Sequence, residues 1–180
     1  MQQQLVFGDS WVTASLPDDA QVVSAGVSLP LEPTKDLAEE VRAALRLPLD
    51  TPPLVEIARG ATTVTVAFDD PTVPCFAPLW STAVPLVLEE LEAAGVSREK
   101  IRLLCANSLH RQFTNDELAG LLGEDLVREF AADGRIGCHD AEDAEAMVHL
   151  GHTEEGHDVE INRAVIDSDL TVYVNASTTR

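Results

Sequence analysis

Residues Thr63–Asp70 have the sequence TVTVAFDD, and this stretch decides the fold. Its β-branched and apolar residues run up to Phe68 and give way abruptly to two aspartates. Such a run is typical of a strand that is covered on both faces of a sheet. A second apolar run, Ile101–Ala106, is followed by polar residues from Asn107 onward. Both runs are therefore predicted to be buried strands of a parallel sheet.

Helical patterns follow both strands. The first helix stops at Gly95 and carries apolar residues at helical spacing, namely Val84, Val87, Leu88 and Leu91. The second follows a capping-box pattern, Thr114–Glu117. Arg135–Cys138 and Leu170–Val174 are further strand candidates. This alternation predicts an α/β fold with a mostly parallel sheet flanked by helices.

Antiparallel additions are predicted near both ends of the chain. Short alternating runs predict N-terminal strands at Leu5–Phe7, Trp11–Leu16 and Gln21–Ser24. Thr34 is expected to cap the helix that follows them. Later in the chain, two apolar runs flank a polar turn that contains Gly156, which predicts a β-hairpin near 147–161.

Composition limits the class of protein. A chain of 180 residues, 45% of them hydrophobic, is expected to form a single α/β domain over 1–180. Twelve Lys and Arg against 31 Asp and Glu give a net charge of −19, which repels nucleic-acid phosphates and anionic lipids. No apolar run has the length of a membrane span, and no secretory signal is present. We therefore expect a cytoplasmic protein that binds neither nucleic acid nor membrane, with its three cysteines reduced and buried.

Ligands of open parallel sheets bind outside the carboxyl ends of the strands. Three polar loops follow predicted strands here, at residues 69–75, 107–114 and 175–180. All three are predicted to lie at one edge of the sheet. No glycine-rich phosphate loop and no GxSxG motif is present, so the sequence supports neither nucleotide binding through such a loop nor a serine nucleophile.

His110 is the principal candidate for acid–base chemistry, because an imidazole exchanges protons near neutral pH. Asp70, at the neighbouring strand end, is placed to orient it. The alternative is that His110 only bonds to its own loop, and that Asp69 and Asp70 cap a turn before Pro71. A further hypothesis is a metal-assisted hydrolase with Asp69, Asp70 and His110 as ligands.

Three more histidines fall on the predicted hairpin, at His149, His152 and His157. Their spacing matches no established metal-binding pattern. They are therefore interpreted as polar surface residues, and no metal ligand is predicted among them.

Several segments, in order, resemble the nickel-dependent lactate racemases. The loop Asp69–Pro74 resembles the Ser-Asp-x-Thr-Arg-Pro motif of that family, and His110-Arg111 resembles its Gly-Thr-His-Arg step. The other matching segments are Leu31-Glu32-Pro33, Glu40–Leu45, Thr51–Leu54, Leu88–Leu91 with Gly95-Val96, Thr114 with Glu117, Gly151-His152-Thr153 and Val159–Arg163.

The resemblance implies the N-terminal domain of an isomerase. Members of that family racemise a 2-hydroxy acid by hydride transfer through a nickel pincer nucleotide, which is held between two α/β domains. His110 matches the catalytic histidine of the N-terminal domain and Asp70 the site aspartate. The residues expected to bind substrate or cofactor are Thr72, Asp69, Arg111 and Asn175.

The sequence also departs from the family pattern. Val73 stands where the family has a site arginine, and Leu109 precedes the histidine where threonine is common. The lysine that anchors the cofactor, the second acid–base histidine and the nickel-ligating histidine have no match here. We expect these 180 residues to be inactive without a C-terminal domain, whose absence leaves an apolar wall through which the chain can self-associate. The alternative function is a binding module that keeps the fold without the chemistry.

Overall fold

The computed structural model describes residues 1–7, 10–22, 34–73 and 78–176. The chain divides into two compact units, Met1–Pro33 and Thr34–Arg180. The single domain over 1–180 stays a prediction.

The first unit contains an antiparallel strand pair. Strand β1 (Gln2–Phe7) pairs with β2 (Ser10–Ser15), with Gln2 opposite Ser15 and Phe7 opposite Ser10. This confirms the first two N-terminal strands. Gln21 and Val22 are not in a strand, and the rest of the third predicted strand lies outside the described residues.

The second unit contains the α/β fold. In chain order its elements are α1 (Leu37–Arg46), α2 (Leu54–Ile57), β3 (Val64–Phe68), α3 (Leu79–Ala93), β4 (Ile101–Cys105), α4 (Asn115–Leu122), α5 (Glu124–Ala131), β5 (Ile136–Cys138), β6 (Met147–His152), β7 (Asp158–Asn162), α6 (Arg163–Ile166) and β8 (Leu170–Val174), with a 3₁₀ turn at Arg98–Lys100.

Four parallel strands form the central sheet in the order β5-β4-β3-β8. Every residue of β3 is buried, as expected for a central strand covered on both faces. Val64, Val66 and Phe68 belong to the core that α3, α4 and α5 complete. On the opposite face, the Thr65 hydroxyl donates a hydrogen bond of 2.8 Å to the carbonyl of Ala164 in α6. The predicted parallel sheet flanked by helices is confirmed.

The predicted hairpin is formed by β6 and β7. The strands are antiparallel, and their register shifts between His149 and Gly151. Gly156 lies in the turn with φ 84°, a left-handed conformation that favours glycine.

Two local predictions changed. Asp36, rather than Thr34, caps α1, because the Asp36 carboxylate accepts a hydrogen bond of 3.0 Å from the Glu39 backbone N–H. Cys105 is buried, whereas Cys138 is only partly buried; both are free, and Cys75 lies outside the described residues.

Helix α4 begins with the predicted capping box. The Thr114 hydroxyl accepts from the Glu117 backbone N–H, and the Glu117 carboxylate accepts from the Thr114 N–H at 2.8 Å. Arg111 also donates to Glu117, at 3.0 Å from one terminal nitrogen. The Arg111 hydrogen bonds, followed by those from Thr114, lower the pKa of Glu117 to about 2.

None of the helices in the described ranges combines the length and the apolar character needed to cross a bilayer.

We expect Leu88→Ala to lower the free energy of unfolding by about 2–5 kcal/mol, because Leu88 is fully buried in the core under the sheet and its truncation leaves a cavity. Urea unfolding of the chain measures this. Leu49→Ala is the matched control: Leu49 is 92% exposed, and its truncation should change the free energy by less than about 0.5 kcal/mol. Equal losses in the two variants would contradict the core described above.

Acid should weaken the fold partly through Glu117. Its folded pKa of about 2 lies below the ordinary 4.5, so its stabilisation is present above pH 4.5 and is lost as the pH falls toward 2. Glu117→Gln should therefore flatten the loss of stability across this interval, as measured by urea unfolding at several pH values. Glu155→Gln, which removes one charge from the hairpin turn, should keep the slope of the unsubstituted chain.

Candidate functional site

The carboxyl ends of three adjacent strands lie at one edge of the sheet. Phe68, the last residue of β3, pairs with Cys105 of β4 on one side and with Val174 of β8 on the other. The residues that follow these strands therefore emerge side by side. This confirms the predicted shared edge for the described parts of the three loops.

His110 and Asp70 form a hydrogen-bonded pair at this edge. The distance from Nδ1 of His110 to Oδ2 of Asp70 is 2.9 Å. The Asp70 side chain is only 6% exposed, whereas that of His110 is 54% exposed. The Thr72 hydroxyl lies 3.4 Å from the same ring nitrogen. A buried carboxylate thus orients an imidazole whose other nitrogen, Nε2, is left for a ligand.

Asp70 keeps its negative charge despite its burial. Burial alone would raise its pKa, but hydrogen bonds from Thr72 and His110 outweigh that effect and hold the pKa below its ordinary value. The Thr72 backbone N–H donates to Asp70 at 2.7 Å. The Asp70 carboxylate is placed to accept the proton on Nδ1 of His110, which leaves Nε2 free to act as a base. This protonation of the ring is assigned from the hydrogen bond.

Asn107 shapes the loop that presents His110. Its side-chain amide nitrogen donates to the His110 carbonyl at 2.9 Å, and its backbone carbonyl accepts from the His110 N–H at 2.8 Å. Asn107 is almost fully buried, and Ser108 adopts a left-handed φ of 51° to complete the tight turn. In the sequence, Asn107 is recognisable only as a loop residue. The available signal was a polar amide placed directly after a buried strand.

Asp69 faces a different set of partners. Its two carboxylate oxygens accept from the Tyr173 hydroxyl at 2.8 Å and from the Ala176 backbone N–H at 2.6 Å. Burial, followed by the contact with Asp69, raises the pKa of Tyr173 to about 12. Asp69 therefore ties the end of β3 to the end of β8. A binding role for Asp69 stays a prediction, as does one for Asn175, which is exposed just beyond β8.

Arg111 already has anionic and aromatic partners. Its terminal nitrogens donate to Glu117, one of them also donates to the carbonyl of Gln112 at 2.9 Å, and its guanidinium lies 4.8 Å from the centre of the Phe113 ring. The guanidinium is thus held within its own loop, and its predicted role in binding substrate or cofactor stays a prediction.

A cavity of about 460 Å³ opens beside His110, lined by residues 108–112 and 139–142. This volume lies in the range of small-molecule sites. It gives a small ligand room next to the imidazole.

The donors at this edge do not suffice to anchor a nickel pincer nucleotide. Among the described residues they include an imidazole, a carboxylate and a hydroxyl, which suit proton transfer, whereas the resemblance implies a lysine as anchor. The chain has two lysines. Lys100 precedes β4, at the opposite edge of the sheet, and Lys35 precedes α1.

In the described part of the chain, Asp69, Asp70 and His110 do not converge as a metal-ligand group, which removes the geometric basis of the hydrolase hypothesis.

Comparison with known proteins agrees with the fold. Residues 7–178 match the family model of the lactate racemase N-terminal domain. The lactate racemase of Thermoanaerobacterium thermosaccharolyticum is 26% identical over 170 residues, which cover 94% of this chain and 38% of that protein. The lactate racemase of Lactiplantibacillus plantarum is 30% identical over 134 residues, covering 74% of this chain and 30% of that protein.

The solved structure of the Thermoanaerobacterium thermosaccharolyticum lactate racemase apoprotein superposes on this fold with a TM-score of 0.69 and 26% identity. The match covers 96% of this chain and 38% of the solved one, so the chain spans well under half the length of these relatives. With a family match over nearly all of its length, this chain belongs to the lactate racemase N-terminal domain family.

Proposed function

We propose that this chain is the acid–base domain of an isomerase that racemises or epimerises a 2-hydroxy acid or a related α-hydroxy compound. The observation that carries this proposal is the 2.9 Å hydrogen bond between buried Asp70 and exposed His110. A histidine held in this way on a rigid sheet edge is suited to general acid–base catalysis. The family match over residues 7–178 supports the reaction class.

His110 would accept the proton of the substrate hydroxyl and later return it. Its Nε2 removes that proton as the α-carbon is oxidised to a carbonyl, and returns it when the carbonyl is reduced. Asp70 stabilises the imidazolium that forms between these two events. By resemblance, a nickel pincer nucleotide anchored by another domain would supply the hydride acceptor.

A further part of the enzyme would complete the site. The relatives are much longer than this chain, which covers 38% of the Thermoanaerobacterium protein. We infer that a C-terminal domain anchors the cofactor and supplies the second acid–base group. The cytoplasmic location and the self-association of the isolated chain stay predictions.

The preferred substrate would differ from lactate in the group that the family arginine holds. Val73 occupies that position, is partly buried against the core, and has no hydrogen-bonding side chain. Arg111 is committed to Glu117, and Asp69 and Asp70 add negative charge nearby. The described residues at this edge should therefore bind a substrate carboxylate weakly. This favours a less anionic α-hydroxy compound as the substrate.

His110→Gln should lower the turnover of the preferred α-hydroxy compound by about 10²–10⁴-fold, because glutamine cannot exchange a proton near neutral pH. The protein is expressed at its natural length together with the enzymes that make the nickel cofactor. Both enantiomers of lactate and of larger α-hydroxy compounds are then assayed by chiral chromatography. His157→Gln, in the exposed hairpin turn, is the matched control and should retain activity. Full activity in His110→Gln would overturn the assignment.

Val73→Arg should lower KM for lactate relative to uncharged α-hydroxy compounds, because a guanidinium can bind a carboxylate with two parallel hydrogen bonds. The ratio of kcat/KM for the two substrates measures this. Val73→Leu, which keeps the position apolar, is the control and should leave the ratio unchanged. An unchanged ratio in Val73→Arg would show that this position does not contact the substrate acid group.

A non-catalytic binding module is the second candidate. Two observations favour it: the side chain of Val73 is apolar, and Arg111 is already bonded to Glu117. The same assay separates the two functions: a folded, natural-length protein that turns over none of these compounds, but binds one of them in calorimetry, supports the module.

A further inference from the structure

Three potential metal ligands converge on the hairpin that β6 and β7 form. In the described residues, one ligand atom from each of His149, His152 and Asp158 lies within 4.8 Å of the other two. Oδ1 of Asp158 is 3.0 Å from Nε2 of His152 and 3.9 Å from Nδ1 of His149. All three side chains are exposed.

A β-bulge creates this convergence. Residues three apart on a regular strand, such as His149 and His152, point to opposite faces. In β6 the register passes from His149 opposite Glu160 directly to Gly151 opposite Val159, so Leu150 is an extra residue. Gly151 accommodates the irregularity with φ 134°.

The bulge restores the two histidines to one face. His152 then pairs directly with Asp158, and His149 pairs with Glu160, which lies two residues further along β7. Cross-strand partners share a face of an antiparallel pair, as do residues two apart. His149, His152 and Asp158 are therefore neighbours because of the bulge, which the spacing of the histidines in sequence does not reveal.

We propose that His149, His152 and Asp158 bind a divalent transition-metal ion of the zinc class. Two imidazole nitrogens and one carboxylate oxygen form an N₂O set that suits Zn²⁺, with water as the fourth ligand. At metal–ligand distances of about 2.0–2.2 Å, tetrahedral ligands lie about 3.4 Å apart. The two distances to Asp158, 3.0 and 3.9 Å, lie on either side of this value.

Metal binding at this site requires little rearrangement of the ligand side chains. The two imidazole rings meet edge to face, with centroids 5.1 Å apart, so rotation of exposed side chains can bring both nitrogens to one ion. The net charge of −19 raises the local concentration of cations. A bound ion would cross-link β6 to β7 beside their turn. The same hairpin contributes Met147 and Ile161 to a cavity of about 490 Å³ against the sheet. The metal cross-link would therefore stiffen one wall of that cavity.

Zinc titration of the tag-free chain tests the site, with a chromophoric chelator as competitor. We expect one Zn²⁺ per chain, with affinity at least about tenfold weaker in both His149→Gln and His152→Gln, since each removes a direct ligand. His157→Gln is the matched control, because His157 lies in the same hairpin but outside the group, and its affinity should equal that of the unsubstituted chain. No stoichiometric binding, or equal affinity in all three variants, would overturn the proposal.

Thermal unfolding provides a second readout. Zinc should raise the Tm of the unsubstituted chain and of His157→Gln, because a ligand that binds only the folded state stabilises it. It should leave the Tm of His149→Gln and His152→Gln unchanged. Circular dichroism without metal confirms that both variants fold, which is expected because the substituted side chains are exposed. A zinc-dependent rise of equal size in every variant would place the ion elsewhere.

Discussion

The structure depends on the burial of two adjacent carboxylates at the end of β3. Asp69 and Asp70 are each less than one-tenth exposed, in a chain that already carries a net charge of −19. A buried, unpaired carboxylate costs several kcal/mol, so both need partners. Those of Asp69 come from the end of β8, whereas those of Asp70 come from its own loop and from the loop after β4. Three loops are thereby fixed relative to one another.

The two carboxylates differ in their hydrogen-bond partners: those of Asp69 are structural, whereas Asp70 contacts the candidate acid–base residue. Both carboxylate oxygens of Asp69 accept hydrogen bonds, one from Tyr173 and one from Ala176, and these partners are parts of the scaffold. Asp70 instead contacts His110, a side chain that reaches solvent. Asn107 fixes the loop from the other side through the His110 backbone. The imidazole is thus held both through its ring and through its main chain, as the proposed proton transfer would require.

Sequence predicted the parts of this arrangement that local pattern controls. The apolar runs before Asp69 and Asn107 identified buried strands, and the position of strand ends in a parallel sheet then brought Asp70 and His110 to one edge. It did not identify Tyr173 as the partner of Asp69, because Tyr173 lies over one hundred residues away in the chain. Nor did it locate the bulge at Leu150, which follows from strand pairing rather than from spacing.

The charge of the site sets a limit on what these residues can recognise by themselves. Lactate-like substrates bring a carboxylate, and an edge that holds two buried carboxylates opposes it unless a cation compensates. The guanidinium of Arg111 is neutralised by Glu117, which stays ionised at neutral pH because its pKa is about 2. Val73 supplies no charge. Under the proposed function, proton transfer and substrate selection are therefore separable: the described residues would provide the first, and a cation from another domain, or a substrate without the acid group, would satisfy the second.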